Sequence, residues 1–211
     1  MNILLLGTPA SGKGTQAELL EKKFGFYHFS TGQTLRKIKD QDPEISAIMN
    51  KGDLIPDDKV LQVVEDFLTT NNLFDNLIVD GTPRNRYQYD RLKGFFSQHG
   101  TKIDMAVNMT ISDEEVVKRL TARREDPKTG EVYNLITNPP GPEVNISDLI
   151  HRDDDKEEAV KERLKVQKIP SDLISALRED GILYEVGGER PIDDIFQDIV
   201  QKVENVKRPK N

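Results

Sequence analysis

The sequence predicts an α/β fold, a five-stranded parallel sheet with helices on both faces. Three observations carry this: short apolar runs alternate with helical stretches along the chain, each run is bounded by Gly, Asp, Ser or Thr, and only one long segment interrupts the alternation. The runs lie at 3–6, 26–30, 77–80, 105–109 and 182–186. They are near-continuously hydrophobic, as strands covered on both faces are. Between them the helical period predicts helices at 13–24, 31–39, 44–51, 57–71, 86–98, 113–124, 154–179 and 192–206. The start at Asp113 is well signalled, because Ser112 stands three residues before Glu115, where each side chain can cap the other's backbone N–H. Residues 125–155 are the exception. They hold Pro127, Gly130, Pro139, Pro140, Gly141 and Pro142 with few apolar anchors, so they are expected to leave the core as a lid or loop. Residues 206–211 read as a frayed, solvated end.

At 211 residues the chain has room for one domain with a small inserted flap. Hydrophobic residues make up 36% and charged residues 32%, which fills one core and excludes a wholly disordered chain. No apolar run approaches the ~20 residues of a membrane span, and the start MNILLL lacks the basic flank of a secretory signal. A soluble, cytoplasmic protein without a membrane partner is expected. The chain has no cysteine, and His28, His99 and His151 share no ligand spacing, so neither a disulfide framework nor structural zinc is expected. A formal charge of −7 argues against nucleic acid as a partner. An anionic ligand must therefore meet locally concentrated cations.

The first strand runs directly into GTPASGKGT at 7–15, which has the spacing GxxxxGK with Thr15 one place late. A strand, a glycine-containing turn and a helix N-terminus aim backbone N–H groups and the positive end of a helix dipole at one point, where phosphate fits. The candidate phosphate-binding residues are Gly7, Ala10, Ser11, Gly12, Lys13, Gly14 and Thr15. Lys13 brings a mobile charge to the outer phosphates, and Thr15 a hydroxyl near the accompanying metal ion. A bare strand-to-helix turn would require neither. The sheet is therefore expected to be of the P-loop NTPase type.

Further motifs follow in order. SerThrGly at 30–32 precedes Arg36; GDLIPD spans 52–57; DGTPR spans 80–84, with Gln88 beyond it; then come Arg119, Arg123 and Arg124. The proline-rich segment carries VY at 132–133 and NPP at 138–140; RDDD spans 152–155, with Arg163 after it, and GGERP spans 187–191. Together with the late threonine, this series resembles the nucleoside monophosphate kinases over nearly the whole chain. Adenylate kinases of the long-lid form without zinc are the nearest pattern.

The resemblance implies a single kinase domain over 1–211, with a core of 1–30, 61–121 and 156–211, an NMP-binding flap at 31–60 and a lid at 122–155. It implies reversible, Mg2+-dependent phosphoryl transfer from ATP to AMP, giving two ADP, by a monomer whose site needs no partner. Another monophosphate acceptor, GTP as donor, a plain P-loop hydrolase and a binding module without turnover stay open as alternatives. By resemblance, Lys13, Arg36, Arg84, Arg123, Arg152 and Arg163 grip phosphates, and Asp80, with Thr15, holds magnesium through its waters. ATP would rest on the phosphate loop with Arg119, Arg123 and Gly188. AMP would rest on Thr31, Arg36, Leu54, Gly81, Arg84, Gln88, Arg152 and Arg163. The residue types suit these tasks: a guanidinium fork grips two oxygens and keeps its proton, while the Gln88 carboxamide both donates and accepts, matching adenine's edge.

Spacing adds geometric expectations. Arg119 and Arg123, four apart, would share a helix face, with a salt bridge to Glu115 as the competing use of Arg119. Arg152 and Arg163 would face one side of a continuous helix, roughly 16 Å apart along its axis. Asp153 reads as a helix N-terminal charge, and Asp154 and Asp155 match a family pair that braces the site. Asp126 and Thr129 are expected to brace the lid by hydrogen bonds where some relatives use zinc. Three residues depart from the family pattern: Ala10 for a loop glycine, Gln33 for an aspartate and Thr82 for a phenylalanine. Ala10 would be strained if its position needs positive φ, Gln33 would leave Asp80 with less help around magnesium, and Thr82 puts acceptor choice in question.

Overall fold

The computed structural model describes residues 1–39, 42–51, 54–166 and 168–207. Along the chain, β1 (Asn2–Gly7) leads into α1 (Lys13–Phe24), followed by β2 (Tyr27–Ser30), α2 (Thr31–Ile38), α3 (Pro43–Lys51) and α4 (Asp57–Thr70). Then come β3 (Leu77–Asp80), α5 (Arg86–Gln98), β4 (Ile103–Thr110), α6 (Asp113–Thr121), β5 (Arg123–Glu125) and β6 (Val132–Asn134). The chain continues through α7 (Glu157–Val166), α8 (Ser171–Glu179), β7 (Leu183–Gly187) and α9 (Ile192–Lys207). Five strands form the expected parallel sheet in the order β2-β3-β1-β4-β7, with Leu5 opposite Asp80 and Gly7 opposite Met109. The connections run to one side of β1 first and then cross to β4 on the other. The switch point thus lies at the C-terminal end of β1, where α/β sheets open a crevice.

Strand alternation sorts the core onto two faces. Ile3, Leu5, Ile78, Met105, Val107 and Met109 pack with Leu20 of α1 and Ile199 and Val203 of α9. Leu4, Leu6, Val79 and Ala106 turn the other way, onto Leu68 of α4, Phe96 of α5 and Leu177 of α8. Each such side chain contributes roughly 1.5–3 kcal/mol by leaving water, so both faces anchor the strand ends rigidly. A smaller cluster of Ile111, Val116, Leu120 and Val160 ties α6 to α7 beside Ala10.

Several expected boundaries are corrected. The helix expected at 113–124 stops at Thr121, because residues 123–125 pair antiparallel with 132–134 as a separate two-stranded ribbon. The helix expected at 154–179 is instead a 3-10 turn, Asp153–Asp155, followed by α7 and α8. Pro170 caps α8 and cannot continue a preceding helix, since it lacks an N–H and crowds the previous turn. The reciprocal cap at α6 is only half formed. Ser112 Oγ accepts from Glu115 N at 3.3 Å, but the Ser112 N–H donates to Glu189 Oε1 at 2.7 Å. At the C-terminus α9 carries Val206 and Lys207 in regular helix, and 208–211 lie outside the described residues. Among the described residues no helix is long and apolar enough to cross a membrane.

Candidate active site

The phosphate loop joins β1 to α1. At Gly7, with φ +134°, a Cβ would lie 1.9 Å from the Met109 carbonyl oxygen, so only glycine fits. The N-cap of α1, Gly12, offers no side-chain cap and the first turn holds no acid, whereas α4, α6 and α9 carry Asp57, Asp113 and Asp193 in their first turns. Its first N–H groups and its positive dipole end are therefore left to a ligand. Lys13 Nζ folds over the loop, donating to Thr8 O at 2.8 Å and Gly7 O at 3.1 Å. Ser11 is buried, while Gly14 and Thr15 lie half-buried in the first turn of α1. Gly188 packs on the same loop, where a Cβ would come 2.7 Å from Ser11 O.

Ala10 has φ +56°, so the strain anticipated from its identity is present. Ala10→Gly is expected to raise the unfolding free energy by up to about 1 kcal/mol and the thermal midpoint by roughly 2–4 °C. A lowered midpoint in a melting curve would show that the packing of the Ala10 methyl on the Ile111 cluster outweighs the relief.

On the other side of β1, Asp80 ends β3 half-buried, with His28 Nε2 at 3.6 Å from its Oδ2. Gly81 follows with φ +88°, and its carbonyl accepts from Arg84 Nε at 3.1 Å. Thr31 and Thr82, 3% and 0% exposed, share a hydroxyl hydrogen bond of 2.9 Å. Gln88 is buried: its Nε2 donates to Asp57 Oδ1 at 2.7 Å, and its Oε1 accepts from Arg84 N at 2.7 Å. Each end of the carboxamide keeps one further hydrogen-bonding position. Leu54 is exposed, and Gly52 and Asp53 of its motif lie outside the described residues. Gln33 is exposed as well, with no hydrogen bond to Asp80 among the described residues.

The cations gather between α2 and the segment 122–155, around a cleft of about 460 Å³ lined in part by Arg36, Glu125, Arg152 and Asp154. Burial, and then the charges of Arg152 and Arg123, lower the Arg36 pKa to about 10. Two of these guanidiniums have carboxylate partners. Arg123 donates from Nε and Nη2 to fully buried Asp155 at 2.6 and 2.5 Å, and Arg152 donates from Nε to Glu125. Arg119 is bridged to Glu115 at 2.8 Å, and its Nη1 reaches Ala10 O at 3.4 Å, beside the phosphate loop. Arg119 and Arg123 do not share a helix face, because Arg123 lies on β5 beyond the end of α6. Nor do Arg152 and Arg163 share one helix, since Arg152 precedes the 3-10 turn. Arg163 lies on α7, and its side chain is outside the described residues.

Of the three acids, Asp153 is exposed and bridged to Lys156 at 2.7 Å, Asp154 faces the cleft, and Asp155 is the internal brace. The ribbon is braced by hydrogen bonds: Asp126 Oδ1 accepts from Lys128 N at 2.8 Å, and Thr129 Oγ1 from Glu131 N at 3.2 Å. The Lys128 N–H is the main cause holding the Asp126 carboxyl below its ordinary range.

Magnesium fits the donor set at the phosphate loop. The Thr15 hydroxyl and the Asp80 carboxylate are hard oxygen donors at neighbouring strand and helix ends. Among the described residues no three His, Cys, Asp or Glu side chains group as a metal site, so such an ion would take most of its ligands from phosphate and water.

Sequence reasoning gives no role to Glu125, to Asn85 or to Asp57, the residue that closes the GDLIPD motif. Asn85 caps α5 by accepting from Gln88 N at 2.9 Å and donates to Asp57 Oδ2 at 2.7 Å. Its position three residues before Gln88 is a capping signal. Glu125 directly after two arginines is a weaker cue.

The geometry can be set beside known proteins. The family profile described as adenylate kinase matches residues 5–180. The adenylate kinase of Archaeoglobus fulgidus is 38% identical over 98% of this chain and 100% of its own. That of Shouchella clausii is 36% identical over 94% of this chain and 96% of its own, and that of Limosilactobacillus fermentum 35% identical over 98% and 100%. The match takes in the phosphate loop from Gly7 and the arginines as far as Arg163, and nearly the full length of each relative. This chain belongs to the adenylate kinase family.

Proposed function

We propose that the chain transfers a phosphoryl group reversibly from ATP to AMP, forming two ADP. The observation that carries this reading is the gathering of Arg36 and Arg152 on one cleft, with Arg36 depressed first by burial and then by the charges of Arg152 and Arg123, in a protein whose formal charge is −7. Two anionic nucleotides repel each other, and only a local excess of guanidinium lets both stay. On this reading ATP lies on the phosphate loop under Lys13 and Arg119, beside Gly188. AMP lies against Thr31, Leu54, Gly81, Arg84 and Gln88, and Arg36, Arg84, Arg123, Arg152 and Arg163 share the phosphates. Magnesium, held through Thr15, Asp80 and waters, would neutralise phosphate charge as it builds up. The attacking group is already an ionised phosphate, so the protein supplies alignment and fixed positive charge and needs no general base. Residues 122–155 act as a lid and 31–60 as the acceptor flap, excluding water that would otherwise be phosphorylated. The residues assigned on this reading all come from one chain, so we read a monomer.

Thr82 favours a second reading of the acceptor. Its buried hydroxyl has one partner among the described residues, Thr31, so its proton is best satisfied by donation to Thr31 Oγ1. Thr31 then has its own proton to offer a ligand, and an acceptor with a carbonyl on the base becomes admissible. A coupled assay offering ATP with AMP, GMP, CMP or UMP tests both readings. ADP formed fastest with AMP supports the first, faster turnover with GMP supports the second, and ADP formed at an equal rate without acceptor would overturn both.

A further inference from the structure

We infer that Glu125 is a positioning residue for the acceptor phosphate, holding the inner edge of the Arg152 guanidinium so that its outer edge can grip an oxyanion. This deepens the kinase reading and rests on it. Glu125 is fixed by the backbone: its N–H donates to Ile150 O at 3.0 Å, and its carbonyl accepts from Ile150 N at 2.8 Å. That pairing puts Arg152, two residues beyond Ile150, diagonally across from Glu125, within reach of a long side chain. The Glu125 carboxylate accepts from Arg152 Nε, with the side chains 21% and 10% exposed. A guanidinium has five N–H groups, and a bond at Nε leaves the four on the two Nη atoms for a ligand.

The device occurs twice. Asp155 grips Arg123 through Nε and Nη2, so two of the cage arginines are each held from behind by a carboxylate of the segment 122–155. Arg152 and Glu125 line the same cleft as Arg36, and their charges act on it in opposite directions, Arg152 lowering and Glu125 raising its pKa. An arginine on a flexible stem must give up rotamer freedom when it binds, and an anchored one has already done so. Glu125 also brings a negative charge near an anion, which opposes binding. Glu125 lines the same cleft as Arg152, but its carboxylate is already compensated by the Arg152 Nε that it accepts from, so orientation outweighs repulsion.

The test compares Glu125→Ala and Glu125→Gln with the parent protein, measuring AMP binding by titration calorimetry and the KM for AMP and ATP by initial rates. With alanine, the Kd and KM for AMP are expected to rise about five- to tenfold, the KM for ATP to stay within about twofold, and the thermal midpoint within about 3 °C. Glutamine keeps an acceptor for Nε and loses the charge, so AMP binding is expected within about twofold of the parent. Tighter AMP binding by either variant would show competition in place of positioning and overturn the inference. An equal loss for ATP and AMP would reduce Glu125 to a fold-supporting role and overturn it equally. If AMP binding shifts as expected while no acceptor is turned over even by the parent, the positioning inference stands and the kinase reading fails. Parental turnover with an unchanged alanine variant sinks only the inference.

Discussion

Lys13→Met is expected to lower kcat about 10²–10³-fold, with the thermal midpoint shifted by only a few degrees. Methionine keeps much of the stem's length and removes the ammonium. In the structure that ammonium hangs over the loop, held by the carbonyls of Thr8 at 2.8 Å and Gly7 at 3.1 Å. Both carbonyls belong to half-buried residues at the strand-to-loop junction, so losing one donor there costs on the order of 1 kcal/mol. A phosphoryl group in transfer is different, because charge develops on oxygens that have no water to receive them. One preorganised cation at that point is worth about 3–4 kcal/mol of barrier, which is the fold change stated. Steady-state rates at saturating ATP and AMP make the measurement. A raised KM for ATP with kcat unchanged would mean that Lys13 binds ground and transition states alike, and a loss below tenfold would remove Lys13 from the chemistry.

How far the molecule can be read from its letters depends on the range of the forces involved. The five strands are legible because each is a continuous apolar run, and a strand covered on both faces needs no partner-specific signal. Gly7 and Gly12 are legible because backbone conformation and close approach demand them. β5 and β6 are not: RRE and VYN are three residues each, and no apolar alternation marks them. What ends α6 is the pairing of Arg124 with Tyr133, a tertiary event, whereas the local pattern from Lys118 onward continues as helix. Pro170 does carry a stop signal, but helical periodicity on both sides of it masks the break. The site divides in the same way. The arginines and Asp155 are recognised by identity and order within their motifs, although the partner of Asp155 lies 32 residues away, while Glu125 gains its meaning only across the 27 residues that separate it from Arg152. Gln88 shows the middle case, since Asn85 is tied to it by the spacing of a helix cap, whereas Asp57, which accepts from its Nε2, lies 31 residues away and no spacing rule connects the two.

Arg36→Met is expected to weaken AMP binding about a hundredfold and at the same time to stabilise the ligand-free protein. Arg36 is pressed into partial burial with Arg152 and Arg123 nearby, which together lower its pKa from the ordinary arginine value to about 10, while Asp154 and Glu125 offset only part of the effect. The sign follows from linkage. A base whose folded pKa lies below its unfolded one binds its proton less tightly when folded, so its charge destabilises the folded state at every pH below about 10. The penalty fades only as pH rises from about 10 towards the ordinary arginine value, far above physiological conditions, where the guanidinium stays charged. The penalty is on the order of 3 kcal/mol, and methionine removes it while filling much of the same volume. Lost contacts of the guanidinium return part of that gain, leaving a rise in thermal midpoint of roughly 2–6 °C for a domain of this size. Phosphate added to the parent protein supplies the missing counter-charge and should raise its midpoint, and it should do so less in the variant. Differential scanning calorimetry with and without millimolar phosphate, beside an AMP titration, reads all three effects. A variant that melts below the parent, or that keeps its affinity for AMP, would mean that Arg36 is a structural residue, and the cage would lose its acceptor-side cation.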